Sequence, residues 1–289
     1  ILNQCCNKDI NQCLNIVLFL ITFFNDSIEV GREWLRMEMQ AMFILPRKKP
    51  DMRFFLLLLG LSTSLMTAAQ SRFMEVTRSE LMGKFEPADH PGFVELEGRY
   101  ATRGGTYLRR EAAEAFRRMA EAARRDGIIL QVVSGTRNYA YQVDIWNRKY
   151  QSFDGSRERR VEKVLLYSSM PGTSRHHWGT DVDINTVEPE YFDSSEGRRV
   201  YRWLQANAHQ YGFYQPYTSN DEDRPEGYKE EKWHWSYLPQ AEIFLRAFNR
   251  VVDYEDIEGF EGSELANENK VLENFVNGID PKLLYTFPL

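Results

Sequence analysis

Cysteine is all but absent from this chain: Cys5, Cys6 and Cys13 are the only three. Past them no disulfide can form and no thiolate can hold a metal. Histidine is scarce too, at five residues of 289, so imidazole chemistry falls to His90, His176, His177, His209 and His234. Positive charge is not in excess. With 36 Lys and Arg against 42 Asp and Glu the net charge is −6, which argues against nucleic acid as a partner, because phosphate binding calls for a basic footprint. No apolar run approaches the roughly 20 residues of a membrane-crossing helix; the runs at 16–24 and 54–61 fall well short. The sequence carries no internal repeat and no low-complexity or polybasic tract. What remains, 43% hydrophobic and 27% charged, is the make-up of a globular protein with room for one or two domains.

The first seventy residues read separately from the rest. Met52-Arg53 precedes the short apolar run at 54–61, and Thr67-Ala68-Ala69 places small residues before Gln70. This is the pattern of a secretory signal peptide over 52–69. Initiation at Met42 instead would add Arg47, Lys48 and Lys49 to the charged region. The chain opens on Ile1, so residues 1–51 read as an over-extended reading frame. No cysteine follows the signal, which speaks against a lipid anchor. The expectation is export across the cytoplasmic membrane to a periplasmic or extracellular location, with no stable membrane anchor. Nothing speaks to oligomeric state.

Residues 70–240 read as an α+β domain: a small antiparallel sheet carrying a metal site in a cleft, flanked by helices, with 241–289 as a helical extension. The stretch 70–106 is rich in Pro and Gly and reads as an irregular lead-in. Leu108, Ala112, Phe116, Met119, Ala120 and Ala123 recur at helical spacing, and Gly127 ends that helix. A strand over 128–133 then delivers Arg137. Residues 139–150 read as a helix with Ile145 and Trp146 inward, and the charged stretch 156–163 as a solvated face or loop flanking the cleft. Further helices are expected over 199–210, 240–252 and 265–277, with a polar surface loop over 217–227 that borders the cleft.

The chemistry concentrates in two segments. One runs from Ser174-Arg175-His176 to Asp183; the other is Glu231-Lys232-Trp233-His234. Along 180–185 polar and apolar residues alternate, the period of a half-buried strand. Val182 and Ile184 then face the core, and Asp181, Asp183 and Asn185 face a cleft. His176 lies seven residues before Asp183, roughly 23 Å away on a straight strand. The two can share a metal only if the chain turns back, and Gly179 is the residue best able to permit that. His234 alternates with Trp233, Trp235 and Tyr237 and so projects from the face opposite these aromatics. Catalytic zinc takes three protein ligands and leaves a position for water, whose proton a nearby carboxylate must accept. We assign His176, Asp183 and His234 as ligands of Zn2+ and Glu231 as the base. Asp181 reads equally as a partner orienting a ligand or as an ordinary loop or surface residue, and His90 and His209 have no motif around them.

The run Ser134-Gly135-Thr136-Arg137-Asn138-Tyr139 with Gln142, then 171–176 through Gly179 to Asp183, then 231–234, resembles the D-alanyl-D-alanine carboxypeptidase family. Within it the chain is most similar to vancomycin-resistance-type D,D-carboxypeptidases, part of a wider zinc metallopeptidase group that includes lysostaphin-type enzymes and the hedgehog domain. The resemblance covers about residues 80–240 and implies a zinc peptidase that cleaves at D-alanine in peptidoglycan stem peptides. It matches His176, Asp183 and His234 to the zinc ligands and Glu231 to the general base. It also matches Arg137 to a catalytic, substrate-contacting arginine, and Gln142 and Ser174 to substrate contacts. His177 is then structural or supporting. One departure stands out: many relatives carry an acidic residue where this chain has Arg175, which bears on charge preference at the mouth of the site. An endopeptidase, a dipeptidase acting on free D-Ala-D-Ala, and a catalytically inactive zinc-stabilised wall-binding module are the alternatives. The presence of both Glu231 and Arg137 speaks against the last.

Overall fold

The computed structural model describes residues 76–285. The expected leader at 1–51, the signal peptide at 52–69 with both candidate starts, the three cysteines and residues 286–289 lie outside the described residues. Among the described residues no helix is long and apolar enough to cross a membrane.

Apolar spacing builds the first long helix. In α2 (Arg110–Arg125) Ala112, Phe116, Met119 and Ala123 form one buried face, with Glu111 in the first turn and Arg124 and Arg125 in the last complementing the helix dipole. Gly127, at φ +72°, follows the end. Leu108 continues the helical spacing but lies in a strand. The expected irregular lead-in contains a short helix, α1 (Arg78–Leu81), and strand β1 (Phe93–Glu95), which pairs antiparallel with β2 (Tyr107–Arg109). Leu108 sits opposite Val94 in that ladder, and the amide of Arg109 donates to the carbonyl of Gly179 at 2.9 Å. Pairing of the backbone overrides the helical register there.

The sheet that matters for function has four antiparallel strands in the order β3 (Val132–Ser134), β4 (Asp181–Ile184), β6 (His234–Tyr237), β5 (Phe213–Tyr214). Its register places Asp181 opposite Ser236, Val182 opposite Trp235 and Asp183 opposite His234. Because side chains alternate along a strand, one face carries Asp181, Asp183, His234 and Ser236. The other face sends Val182, Ile184 and Trp235 into a core shared with Phe116, Met119, Val200, Leu204 and Phe213. Asn185 departs from the expected cleft-facing position. It adopts φ +65°, and its side chain accepts from the amide of Gln131 and donates to the carbonyl of Ile129, both at 2.8 Å.

Helices wall this sheet. Asn138 caps α3 (Tyr139–Ser152), accepting from the amide of Tyr141 at 2.8 Å. Trp146 is buried as expected, whereas Ile145 faces the cleft. The charged stretch is not a loop: it forms α4 (Arg157–Leu165), whose Val161, Val164 and Leu165 at i, i+3 and i+4 pack with Trp146 and Tyr150, leaving its charges as the solvated face. Helix α5 (Ser195–Asn207) continues as a 3-10 turn to Tyr211 and stops at Gly212, φ +82°. Helix α6 (Leu238–Val251) buries Phe244, Leu245 and Phe248 against Trp178 and Leu81. The helix expected over 265–277 is broken into a 3-10 turn (Ser263–Leu265) and a π-helical turn (Val271–Val276), with left-handed Lys270 between them. Residues of this segment, including Leu265, Ala266 and Val271, pack on Trp146 and Tyr150, so the extension is part of the packed body.

Candidate metal centre and cleft

The register of β4 and β6 sets the centre. Asp183 and His234 face each other across the ladder. His176 reaches them from a 3-10 turn, Arg175–Trp178, which Ser174 caps through its hydroxyl. Gly179 ends this turn at φ +74° and reverses the chain into β4, as its position between His176 and Asp183 requires. A side chain there would also collide with the ring of Phe93, at 2.3 Å.

The hydrogen bonds on the far sides of the rings fix what each imidazole offers. Nδ1 of His176 lies 2.9 Å from the carbonyl of Gly135, which only accepts, so that nitrogen bears the proton and Nε2 presents its lone pair. Nε2 of His234 lies 2.9 Å from Oδ2 of Asp181, which turns Nδ1 inward. These two inward nitrogens stand 3.3 and 3.2 Å from Oδ1 of Asp183, and a donor from each of the three residues falls within 4.8 Å of the others. Oδ1 of Asp183 is buried and receives no hydrogen bond. Leaving a buried carboxylate oxygen unpaired costs about 1–3 kcal/mol or more, and a cation among these atoms would remove that cost. Two imidazole nitrogens and one carboxylate oxygen suit zinc.

Charge in the centre is shared among coupled groups. Burial opposes ionisation of Asp183, but His176, His234 and Arg137 hold its carboxyl well below the ordinary range. Burial likewise opposes charging of His234, yet its contacts with Asp181, Asp183 and Glu231 raise it well above the ordinary value. A proton and a metal ion compete for the same inward lone pair. His176 is lowered by burial, with Arg137 adding to the effect.

Glu231 and Arg137 stand beside this set. Glu231 lies in the turn before β6, its amide tied to the carbonyl of Tyr217 at 3.0 Å, and its Oε2 is 3.3 Å from Nδ1 of His234. Burial pushes its carboxyl up, against the pull of His234. Arg137 follows β3; its Nη2 donates to Oδ2 of Asp183 at 2.6 Å and its Nε to the hydroxyl of Ser134 at 2.9 Å. His177 points away from the set. Its Nδ1 meets the carbonyl of Arg137 at 2.7 Å and its Nε2 accepts from Gly172, and burial lowers its pKa to about 3. It ties the loop carrying Arg137 to the turn carrying His176.

These groups open on a cleft of about 610 Å³. Gln142 and Ser174 are not among its lining residues. Gln142 is buried, donating to the carbonyl of Ser169 at 2.8 Å and accepting from Nη1 of Arg137 at 3.4 Å, so it reaches the site through Arg137. Arg175 is not at the mouth either. It is 2% exposed and points inward to Asp181. Asp181 is itself enclosed and makes no part of the cleft wall. Sequence reading missed Tyr217, whose ring centre lies 4.8 Å from that of His234, and Tyr228, whose buried hydroxyl has no hydrogen-bond partner. It also missed Lys149, 2.5 Å from the hydroxyl of Ser168. The only sequence cue to the tyrosines is their place at the two ends of the polar loop before Glu231.

Residues 105–240 match the family model described as VanY: D-alanyl-D-alanine carboxypeptidase. YodJ of Bacillus subtilis, which carries a carboxypeptidase name, is 34% identical over 138 residues, 46% of each chain. A D-alanyl-D-alanine carboxypeptidase of Enterococcus faecalis is 33% identical over 121 residues, 41% of this chain and 43% of that one. This chain thus spans less than half the length of either relative. Among solved structures, a variant of the vancomycin-resistance D,D-pentapeptidase VanY in complex with Zn(II) aligns at 28% identity and TM-score 0.42, covering 52% of this chain and 81% of its own. VanYB in complex with D-alanine-D-alanine aligns at 26% and 0.44, covering 59% and 90%.

Proposed function

We propose that this chain, whose residues 105–240 belong to the VanY family of D-alanyl-D-alanine carboxypeptidases, is a zinc-dependent D,D-carboxypeptidase. Its substrate would be the D-Ala-D-Ala end of a peptidoglycan stem peptide, and it would work outside the cytoplasmic membrane. The observation that carries this reading is the buried, hydrogen-bond-free Oδ1 of Asp183 between two inward imidazole nitrogens. His176, Asp183 and His234 would hold the ion. When bound, zinc supplies Lewis acidity that polarises a carbonyl and lowers the pKa of water toward neutrality.

The chain's own residues then divide the work. Glu231 takes the proton of the attacking water; its burial, which raises proton affinity, suits that task. As the C–N bond breaks, the same carboxyl returns the proton to the departing amine of D-alanine, so one water is consumed and no charge is left behind. Arg137 faces the cleft with a guanidinium that suits either the carbonyl oxygen gaining charge or the terminal carboxylate of the peptide. Gln142 holds that guanidinium, and Ser174 holds the turn of His176. Tyr167, Tyr217 and Trp233 wall the cleft.

The test is to incubate the protein with zinc and a pentapeptide muropeptide ending in D-Ala-D-Ala and to weigh the products. Loss of a single alanine, dependent on zinc and absent in Glu231→Ala, is the expected result. A cut elsewhere in the stem would make the protein an endopeptidase instead. No cut on this or on cross-linked substrates would favour a wall-binding module.

A further inference from the structure

Beneath the ligand set lies a second, fully enclosed polar cluster to which the reaction assigns no role. Asp181 is buried to the last atom and saturated. Its Oδ1 accepts from the hydroxyls of Thr180 at 2.7 Å and Ser236 at 2.8 Å. Its Oδ2 accepts from Nε of Arg175 at 3.0 Å and faces Nε2 of His234 at 2.9 Å. Arg175 spans the cluster: while Nε holds Asp181, Nη2 donates to the hydroxyl of Ser236 at 2.8 Å. Its Cζ lies 4.8 Å from the ring centre of Trp178, which in turn stacks on Phe244.

We propose that Arg175 and Asp181 are positioning residues of the metal centre, a buried relay that fixes which nitrogen of His234 faces the ion. The inference rests on the zinc reading above. With Nε2–H held by a carboxylate that is itself held in place, only Nδ1 can turn toward His176 and Asp183. A carboxylate hydrogen-bonded behind a ligating imidazole also raises the basicity of the ring. The four donors on Asp181 keep it from swinging toward the cleft as a competing ligand. Arg175 pairs with Asp181 at 3.0 Å inside the enclosed cluster and anchors it there. A buried ion pair is seldom favourable over a packed apolar pair of the same volume, so stability alone gives little reason for one here. That it terminates on a metal ligand gives such a reason. The planar fork is also specific: Nε and a terminal nitrogen reach Asp181 and Ser236 together, which a single ammonium cannot reproduce in fixed geometry.

The test reads metal affinity, not turnover. The zinc dissociation constant of the full chain is measured by competition with a chromophoric chelator for wild type, Asp181→Asn, Arg175→Met and Arg175→Lys. The unfolding midpoint of each metal-free protein and the visible spectrum of each cobalt-loaded one are recorded alongside. We expect Asp181→Asn and Arg175→Met to weaken zinc by about 10–100-fold and to shift the cobalt bands, with Arg175→Lys falling between them and wild type. If a single variant fails to fold because a charge is stranded, the double variant Arg175→Met/Asp181→Asn, which buries neither charge, carries the same expectation. Variants that fold, bind zinc as tightly as wild type and keep its cobalt spectrum would overturn the relay while leaving the metal centre standing. A wild-type protein that binds no zinc would overturn both.

Discussion

The two ends of the polar face shared by β4 and β6 are built alike and behave differently. At one end Asp181 sits opposite Ser236, and at the other Asp183 sits opposite His234. Both carboxylates are buried and both touch a guanidinium and an imidazole. Yet every direction around Asp181 meets a donor, whereas Oδ1 of Asp183 meets none. Burial and residue type therefore do not separate a structural carboxylate from the proposed ligand in this protein; the hydrogen-bond account of each oxygen does. One end is closed off by Arg175 and Trp178, and the other faces the cleft, where Arg137 Nη2 reaches both Oδ2 of Asp183 and Nε2 of His176 but Oδ1 of Asp183 receives no hydrogen bond.

That contrast can be sharpened from either end. Glu231→Ala removes the proposed base beside the open end without replacing a proposed ligand. It is expected to lower turnover by about 10²–10⁴-fold while zinc per chain, measured by metal analysis, stays unchanged. Arg137→Lys keeps the charge but loses the fork that spans Asp183 and Ser134; kcat is expected to fall by about 10²–10³-fold in steady-state kinetics. At the closed end, Phe244→Ala withdraws the ring stacked on Trp178 beneath Arg175. Denaturant unfolding should report a loss of about 3–5 kcal/mol, with metal content retained. Ile243 lies next to Phe244 but is 45% exposed, so Ile243→Glu should move stability by no more than about 0.5 kcal/mol and bracket the scale from below.

Much of the open end could be read from spacing. Alternation along 180–185 and 233–237 placed Asp183 and His234 on one face, and the seven-residue gap from His176 demanded the turn at Gly179. The closed end could not. Arg175 reads as a mouth residue because it stands where many members of the resembling family carry an acidic one. The 3-10 turn instead directs it inward, to a partner six residues away that is visible only once β4 is laid beside β6. The same limit applies to folding elements. The charges of 156–163 hid the apolar i, i+3, i+4 stripe of Val161, Val164 and Leu165, which shows only when the reading is carried past residue 163. Leu108 fits the helical period, but its hairpin pairing with Val94 is a long-range choice. Lys270 in a left-handed conformation breaks the helical path where no glycine or proline gives warning.

The central claim is that Asp183, not Asp181, holds a metal ion. Its most direct test is a zinc titration of wild type beside Asp183→Ala and Asp181→Asn, followed by calorimetry. The account predicts one zinc per wild-type chain, none held by Asp183→Ala, and one held more weakly by Asp181→Asn. Zinc bound by Asp183→Ala as tightly as by wild type would contradict it.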